Sequence, residues 1–222
     1  MMISPEGFYE FELKGKSKEE ILKEIRCLKR DINRNKKLIE DNNKASEPIA
    51  FMSPGPNVVI EMDREYLARA IKAYEDAGGK YIPTEQEKKS QSFNDALEDL
   101  HTFTFSIGGF PDGHEIRTYT ITGDEVTRDI EYTPPRTEEK SPIHFPKDDL
   151  IEGLQNIHMG EWKRNYIDYG VLDGTQWQIT LSFQPDRRTV KFHGSNDYPY
   201  NFDALKEFLD ELEDDYNDDY EG

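Results

Sequence analysis

Side chains able to do chemistry are few in this chain and widely spaced. His158 and Glu161 stand three apart, but Gly160 lies between them and no HExxH helix surrounds them, so an ordinary turn is expected and no metal is implied. His101, His114, His144 and His193 are scattered, with His101 and His193 both expected near strand ends. Cys27, the one cysteine, has Lys23, Arg26 and Arg30 nearby to favour a thiolate. It falls off the apolar seam of its helix, toward solvent and without a pocket, which is the setting of an inert surface thiol. Paired carboxylates carry no signal, because 46 acids in 222 residues form pairs by chance. GGFPDG joins two strands and opens no helix, unlike a phosphate loop. The sequence has no GxSxG, no GxGxxG and no complete GxxxxGKS/T loop. No residue pattern asks for catalysis and no cofactor is implied; an enzyme of unrecognised type stays open as an alternative.

Binding is the better-supported use of the charged residues. The helix KEIRCLKRDINRNKK carries Lys23, Arg26, Lys29, Arg30, Arg34, Lys36 and Lys37. It is either a contact surface for a partner or the solvated face of a coiled coil. Residues 14–44 hold eleven bases against six acids, whereas residues 207–222 (EFLDELEDDYNDDYEG) hold nine acids and no base. Half of the net charge of −18 therefore sits in the last sixteen residues. That balance argues against nucleic acid or an anionic membrane as partner of the whole chain. The acidic end can shield the basic helix within a Debye length of ~8 Å at physiological salt. Alternatively, Asp214, Asp215, Asp218 and Asp219 stand in for phosphates, as in an inhibitor carried by a mobile element that blocks a nucleic-acid-binding host protein.

A third candidate is KFHGSNDYPYNF, residues 191–202, which brings Tyr198 and Tyr200 together around Pro199. Each residue also has a plain structural use. Gly194 tolerates positive φ, Asn196 and Asp197 favour turns, Pro199 holds Tyr198 extended and Asn201 is a good helix N-cap. The stretch is either a ligand loop or a corner between a strand and a helix, and a corner is the expectation.

The elements that must position these residues follow from periodicity. Ser4-Pro5 starts a short helix broken by Gly15, and Ser17 to Glu20 is a capping box opening a long helix over about 18–42. Ile21, Ile25, Leu28, Ile32, Asn35 and Ile39 fall at spacings of four and three, a heptad seam with Asn35 as a polar register marker. The seam fits self-pairing into a homodimer or packing against another helix of the same chain. Asp63 is expected to cap a helix closed by Gly78-Gly79, and Thr84 to Glu87 is a second capping box for a helix ending near Leu100. From Thr102 the period becomes two: Phe103, Phe105 and Ile107 alternate with Thr102, Thr104 and Ser106, and the pattern continues through Tyr119, Ile121, Val126, Ile130 and Tyr132. Trp177, Ile179, Leu181 and Phe183 open a second hairpin that turns near Pro185-Asp186-Arg187 and returns through Val190 and Phe192. Helices near 147–157 and 202–212 complete the set. The fold class expected is α+β: N-terminal helices, then an antiparallel sheet of about five strands with helices packed on one face. The corresponding organisation is a helical arm over 1–43, a Pro-rich linker over 44–57, an α+β body over 58–212 and an acidic tail over 213–222.

Hydrophobic residues make up 35% and charged residues 33% of the chain, yet 12 Phe, 12 Tyr and 2 Trp are more than a disordered chain carries. One cysteine fits a reducing compartment, and neither a signal peptide nor an apolar run of ~20 residues is present, so a cytoplasmic location is expected. The segments GEWKRNY, VLDGTQWQITLSF and GSNDYPYNF, with ISPEGFYEFELKGKSKEEILKEIRCLKRDI and GGF...IRTYT, resemble a family of uncharacterised proteins of Gram-positive gut-type anaerobes. The resemblance spans most of the chain, implies no activity and assigns no functional residue; the acidic end is longer than it implies. The sequence thus points to a protein-interaction or regulatory module that docks a protein partner through the wet face of its sheet or through its basic helix. The residues expected to bind are Arg26, Lys29, Arg30, Arg34, Tyr198, Tyr200, Asp214 and Asp215.

Overall fold

A computed structural model describes residues 3–45, 49–51, 53–136, 141–171, 173–184 and 189–217. The fold is α+β, with helices first and a seven-stranded mixed sheet later. The chain divides into two compact units, Met1–Pro83 and Thr84–Gly222. Among the described residues, no helix is long and apolar enough to cross a membrane.

The first unit is helical. Helix α1 spans Pro5–Phe8 and runs into a π-helical turn over Tyr9–Leu13; α2 spans Lys18–Asn43 and α3 spans Pro56–Asp76. The capping box forms as expected: the Ser17 amide donates to Glu20 at 2.8 Å and the Glu20 amide to the Ser17 hydroxyl. All six seam residues, Ile21, Ile25, Leu28, Ile32, Asn35 and Ile39, are buried within the one chain. Helix α3 contributes Tyr66, Ala70 and Ala73 to a cluster with Ile21, Ile25 and Leu28, and Phe8 stacks on Tyr66 at 4.4 Å. The heptad pattern is thus satisfied by a helix of the same chain, and residues 58–83 group with this unit rather than with the sheet.

Helix α3 starts seven residues before the Asp63 that was expected to cap it. Gly55 is the N-cap and Pro56 the first helical residue, a position where a missing N–H costs nothing. Asp63 instead lies on the buried stripe of Ile60, Asp63, Tyr66, Ala70 and Ala73. The other end closes as expected: Gly78 adopts φ 79, its amide donates to Glu75 O, and the Gly79 amide donates to Tyr74 O at 2.9 Å.

The second unit opens with α4 over Glu85–Ala96, capped by Thr84, followed by a 3₁₀ turn over Leu97–Asp99. Strands β1 (Leu100–Gly109), β2 (Gly113–Thr122) and β3 (Glu125–Thr133) form the expected meander. Strand β4 spans Ile143–Pro146, α5 Lys147–Asn156, β5 Asn165–Ile167, β6 Gln176–Phe183, β7 Val190–Ser195 and α6 Phe202–Asn217. The strand order is β4-β3-β2-β1-β6-β7-β5. Every pairing is antiparallel except β5 with β7, which is parallel. The expected all-antiparallel sheet of about five strands is therefore corrected to seven strands, one of them parallel. Strands β4 and β5, of four and three residues, are too short to display an alternation of their own.

The core lies on one face of the sheet. Phe103, Phe105, Tyr119, Val126, Ile179 and Leu181 point into it, and α5 and α6 supply Leu150, Leu154, Leu205 and Leu209. Gly153 on α5 makes this approach possible, since a Cβ there would overlap the Phe208 ring of α6. The turn expected near Pro185-Asp186-Arg187 lies outside the described residues, as do Asp218 and Asp219.

Candidate functional site

The opposite face of the sheet is built by the alternate residues of the same strands, because successive side chains along a strand point to opposite sides. Register fixes four rows across the three central strands. Thr120, Thr102 and Ser182 stand side by side on β2, β1 and β6, followed by Thr118, Thr104 and Thr180. Ile116, Ser106 and Gln178 make the third row, and His114, Gly108 and Gln176 the fourth. These twelve positions hold no Lys, Arg, Asp or Glu, where the chain average of 33% would place about four. β-branched Thr suits the pleated surface and keeps a hydroxyl wet, so the sequence forms strand and a polar platform at once.

Charge returns at the margins, with opposite signs. On β3, Asp129 pairs with Thr118 and Glu131 with Ile116, both acids exposed. On β7, Lys191 pairs with Thr180 and His193 with Gln178, both exposed. At one end of the face a depression of about 450 Å³ is lined by Ser106, His114, Gln176, Gln178, His193 and Ser195. His114 on β2 and His193 on β7 are three strands apart, roughly 14 Å at the usual strand spacing, too far to act on one atom.

The corner over 194–201 is held by hydrogen bonds among its own residues and neighbours. Asn196 takes φ 52 and its Oδ1 accepts from the Thr175 amide at 2.9 Å. A Cβ on Gly194 would overlap the Trp177 indole, whose Nε1 donates to Asp197 O at 2.9 Å. Asp197 is buried and caps the Tyr198 amide. The Asn201 side chain accepts from Trp162 Nε1 at 2.8 Å and donates to Ile157 O. Tyr200 is buried and donates to Glu161 at 2.9 Å, while Tyr198 packs on Phe202 at 5.0 Å. The two tyrosines expected at a docking surface are thus turned into the corner.

The basic candidates spread along α2. Arg26, Arg30 and Arg34 are exposed; Arg30 and Arg34 both reach Asp31, at 3.4 and 3.3 Å, and Lys29 lies 4.9 Å over the Tyr81 ring. At the acidic end, Asp214 and Asp215 are exposed on the last turns of α6, so residues 213–217 are helix rather than tail. Glu213 between them and the core faces inward. It accepts from Tyr119 at 2.9 Å and lies 3.4 Å from Arg117 and 3.5 Å from the buried Arg128. Burial first, then the Glu213 charge, push the Tyr119 hydroxyl far above its ordinary value. This buried cluster was not read from the sequence. Its signal was present, since Leu205, Leu209, Glu213 and Tyr216 continue one stripe at helical spacing.

Among the described residues no group of three or more His, Cys, Asp or Glu is placed to hold a metal. His158 sits in the left-handed region at φ 55 after α5, and Glu161 receives the Tyr200 hydroxyl. Fold and site together define an α+β chain with one open, hydroxyl-rich sheet face. No protein-family model, curated protein or solved structure matches the chain.

Proposed function

We propose that the chain is a non-catalytic binding module that docks a folded protein partner on the hydroxyl-rich face of its sheet. The observation that carries this reading is the block of twelve uncharged positions on β1, β2 and β6, since interface centres are depleted of charge relative to the rest of a surface. Strands β3, β2, β1, β6 and β7, of six to ten residues, offer about 24 Å by about 26 Å, roughly 600 Å², which approaches the ~800 Å² that each partner gives to a stable complex. The margins set the orientation. A partner that is neutral at its centre, basic where it meets Asp129 and Glu131, and acidic where it meets Lys191 complements the face. Threonine, which has few rotamers to lose, lowers the entropic cost of forming such an interface.

Site-specific photocrosslinking tests it. A photoreactive residue replaces Gln178 on the face, Arg26 on α2 or Asp215 on α6, in the full chain within its source cells. A defined protein adduct is expected from position 178 and not from positions 26 or 215. Adducts confined to 26 favour the basic helix, adducts confined to 215 favour the acidic mimic, and adducts from none of the three contradict docking; each of these overturns the reading.

A further inference from the structure

The depression at one end of the polar face follows from the register. Ser106, Gln178 and His193 stand side by side on β1, β6 and β7, and the next row runs His114, Gly108, Gln176, Ser195 and Ile167 on β2, β1, β6, β7 and β5. Gly108 puts no side chain into that row. The sequence cannot fill the gap, because a Cβ on Gly108 would overlap Gly113 O across the β1–β2 hairpin. The space lined by the side chains of both rows measures about 450 Å³. At the ~30 Å³ that a water occupies in the liquid, this is room for roughly fifteen non-hydrogen atoms, within the range of ligand pockets and more than one sugar ring needs.

The lining is uniform in its chemistry. Ser carries a hydroxyl, Gln a carbonyl beside an NH₂ group, and a neutral His one ring N–H beside one bare nitrogen, so each polar side chain there both donates and accepts. Among the described residues, no Lys, Arg, Asp or Glu lines the depression, in a chain of which 33% is charged. Among the same residues, the side chains of Ser106, His114, Gln176, His193 and Ser195 make no hydrogen bond within the protein, and Gln178 donates once, to the Thr180 hydroxyl at 3.3 Å. Their capacity is directed outward, toward a ligand that holds donors and acceptors close together and carries no net charge. A carboxylate or phosphate only accepts, an ammonium only donates, and an amide keeps the two functions on separate atoms. A sugar hydroxyl does both on one atom, and a saccharide repeats it at spacings that meet strands ~4.8 Å apart. Ile167, 37% exposed at the far end of the lining, offers apolar contact to the C–H groups of a ring.

We propose that this depression binds a short neutral saccharide laid across the strands, with one ring in the gap over Gly108, between His114 and Gln176, and a second reaching past Ser195 to Ile167. The proposal does not rest on docking: it needs no partner, and the failure of either leaves the other in place. Millimolar dissociation constants are expected, because uncharged hydrogen bonds at an open site exchange with water at little net gain.

Saturation-transfer difference NMR of the full chain with maltose, cellobiose, lactose and chitobiose tests the claim. At least one of these disaccharides should saturate, and its component monosaccharide should bind about fivefold or more weakly, since it leaves Ile167 uncovered. Gln176→Leu, which keeps the size of an exposed side chain but removes its donors and acceptor, should weaken that disaccharide by about fivefold or more. Ser106→Trp, which places a large ring in the depression on the face away from the core, should abolish binding while circular dichroism stays that of the wild type. No saturation by any of these disaccharides at concentrations on the order of 10 mM, equal affinity for disaccharide and monosaccharide, or full binding by a folded Ser106→Trp variant would each overturn the proposal.

Discussion

On strand β6, Trp177, Ile179, Leu181 and Phe183 are at most 7% exposed, while Gln176, Gln178, Thr180 and Ser182 between them form part of an open polar face. The same contrast runs through β1, where Phe103 and Phe105 are buried and Thr102, Thr104 and Ser106 are not. One set of residues is fixed by packing, so its volume and shape matter. The other is relieved of packing and is free to be selected for contact. Stability and the proposed docking therefore sit on alternate residues of the same strands, and can be broken separately.

The largest effect should come from the packed side. Phe103→Ala removes a fully buried ring and should cost about 4 kcal/mol in urea unfolding, whereas Thr104→Ala next to it should stay within about 0.5 kcal/mol. Next is the charge that the packed side does admit. Glu213→Ala removes the carboxylate that faces the 3% exposed Arg128 and one of three that face Arg117, and should cost about 3 kcal/mol, against about 0.5 kcal/mol or less for its exposed neighbour Asp214→Ala. Equal losses for the two acids would show that Glu213 is part of a surface tail after all. Smaller again is Gly194→Ala, whose methyl meets the Trp177 indole and Asp197 O; about 2 kcal/mol is expected in the same assay.

The helical unit supplies the smallest effect and the clearest sign. Asp63 is buried at 8% exposure, and burial first, then the nearby Asp31 charge, raise its carboxyl above the ordinary 3.8, with Arg34 opposing. The folded state then holds this proton more tightly than the unfolded chain does. Its stability contribution is greatest below 3.8 and falls as pH rises from there through the raised folded value. Asp63→Asn should remove that fall and raise the melting temperature at neutral pH but not at pH 3. A lower melting temperature at pH 7 would show that the Asp63 charge is stabilised in the fold.

Where local signals were strong, the sequence and the fold agree. Both capping boxes, the Gly78-Gly79 closure, the seam of α2 and the alternation of β1, β2, β3 and β6 were legible because each depends on residues close in the chain. The misses share a long-range cause. Strands β4 and β5 exist only because β3 and β7 offer edges to pair with, which four and three residues cannot announce. Asp63 resembled a cap until Gly55-Pro56 took that role, and Glu213 resembled tail until Arg117 and Arg128 from distant strands faced it. The polar face itself was legible as alternating hydroxyls. Its freedom from charge across three strands needed the register, which alone sets Thr104 beside Thr118 and Thr180.

The most direct measurement is the affinity of the purified crosslinked partner for Thr104→Glu/Thr180→Glu, two like charges set side by side at the centre of the face. Calorimetry should give a loss of about a hundredfold or more, because each unpaired charge at an interface centre costs on the order of 1–3 kcal/mol. Circular dichroism of the double variant should match the wild type, since both threonines are only half-buried and lie on the face away from the core. An affinity unchanged by both charges, in a variant that is folded, would contradict docking on this face.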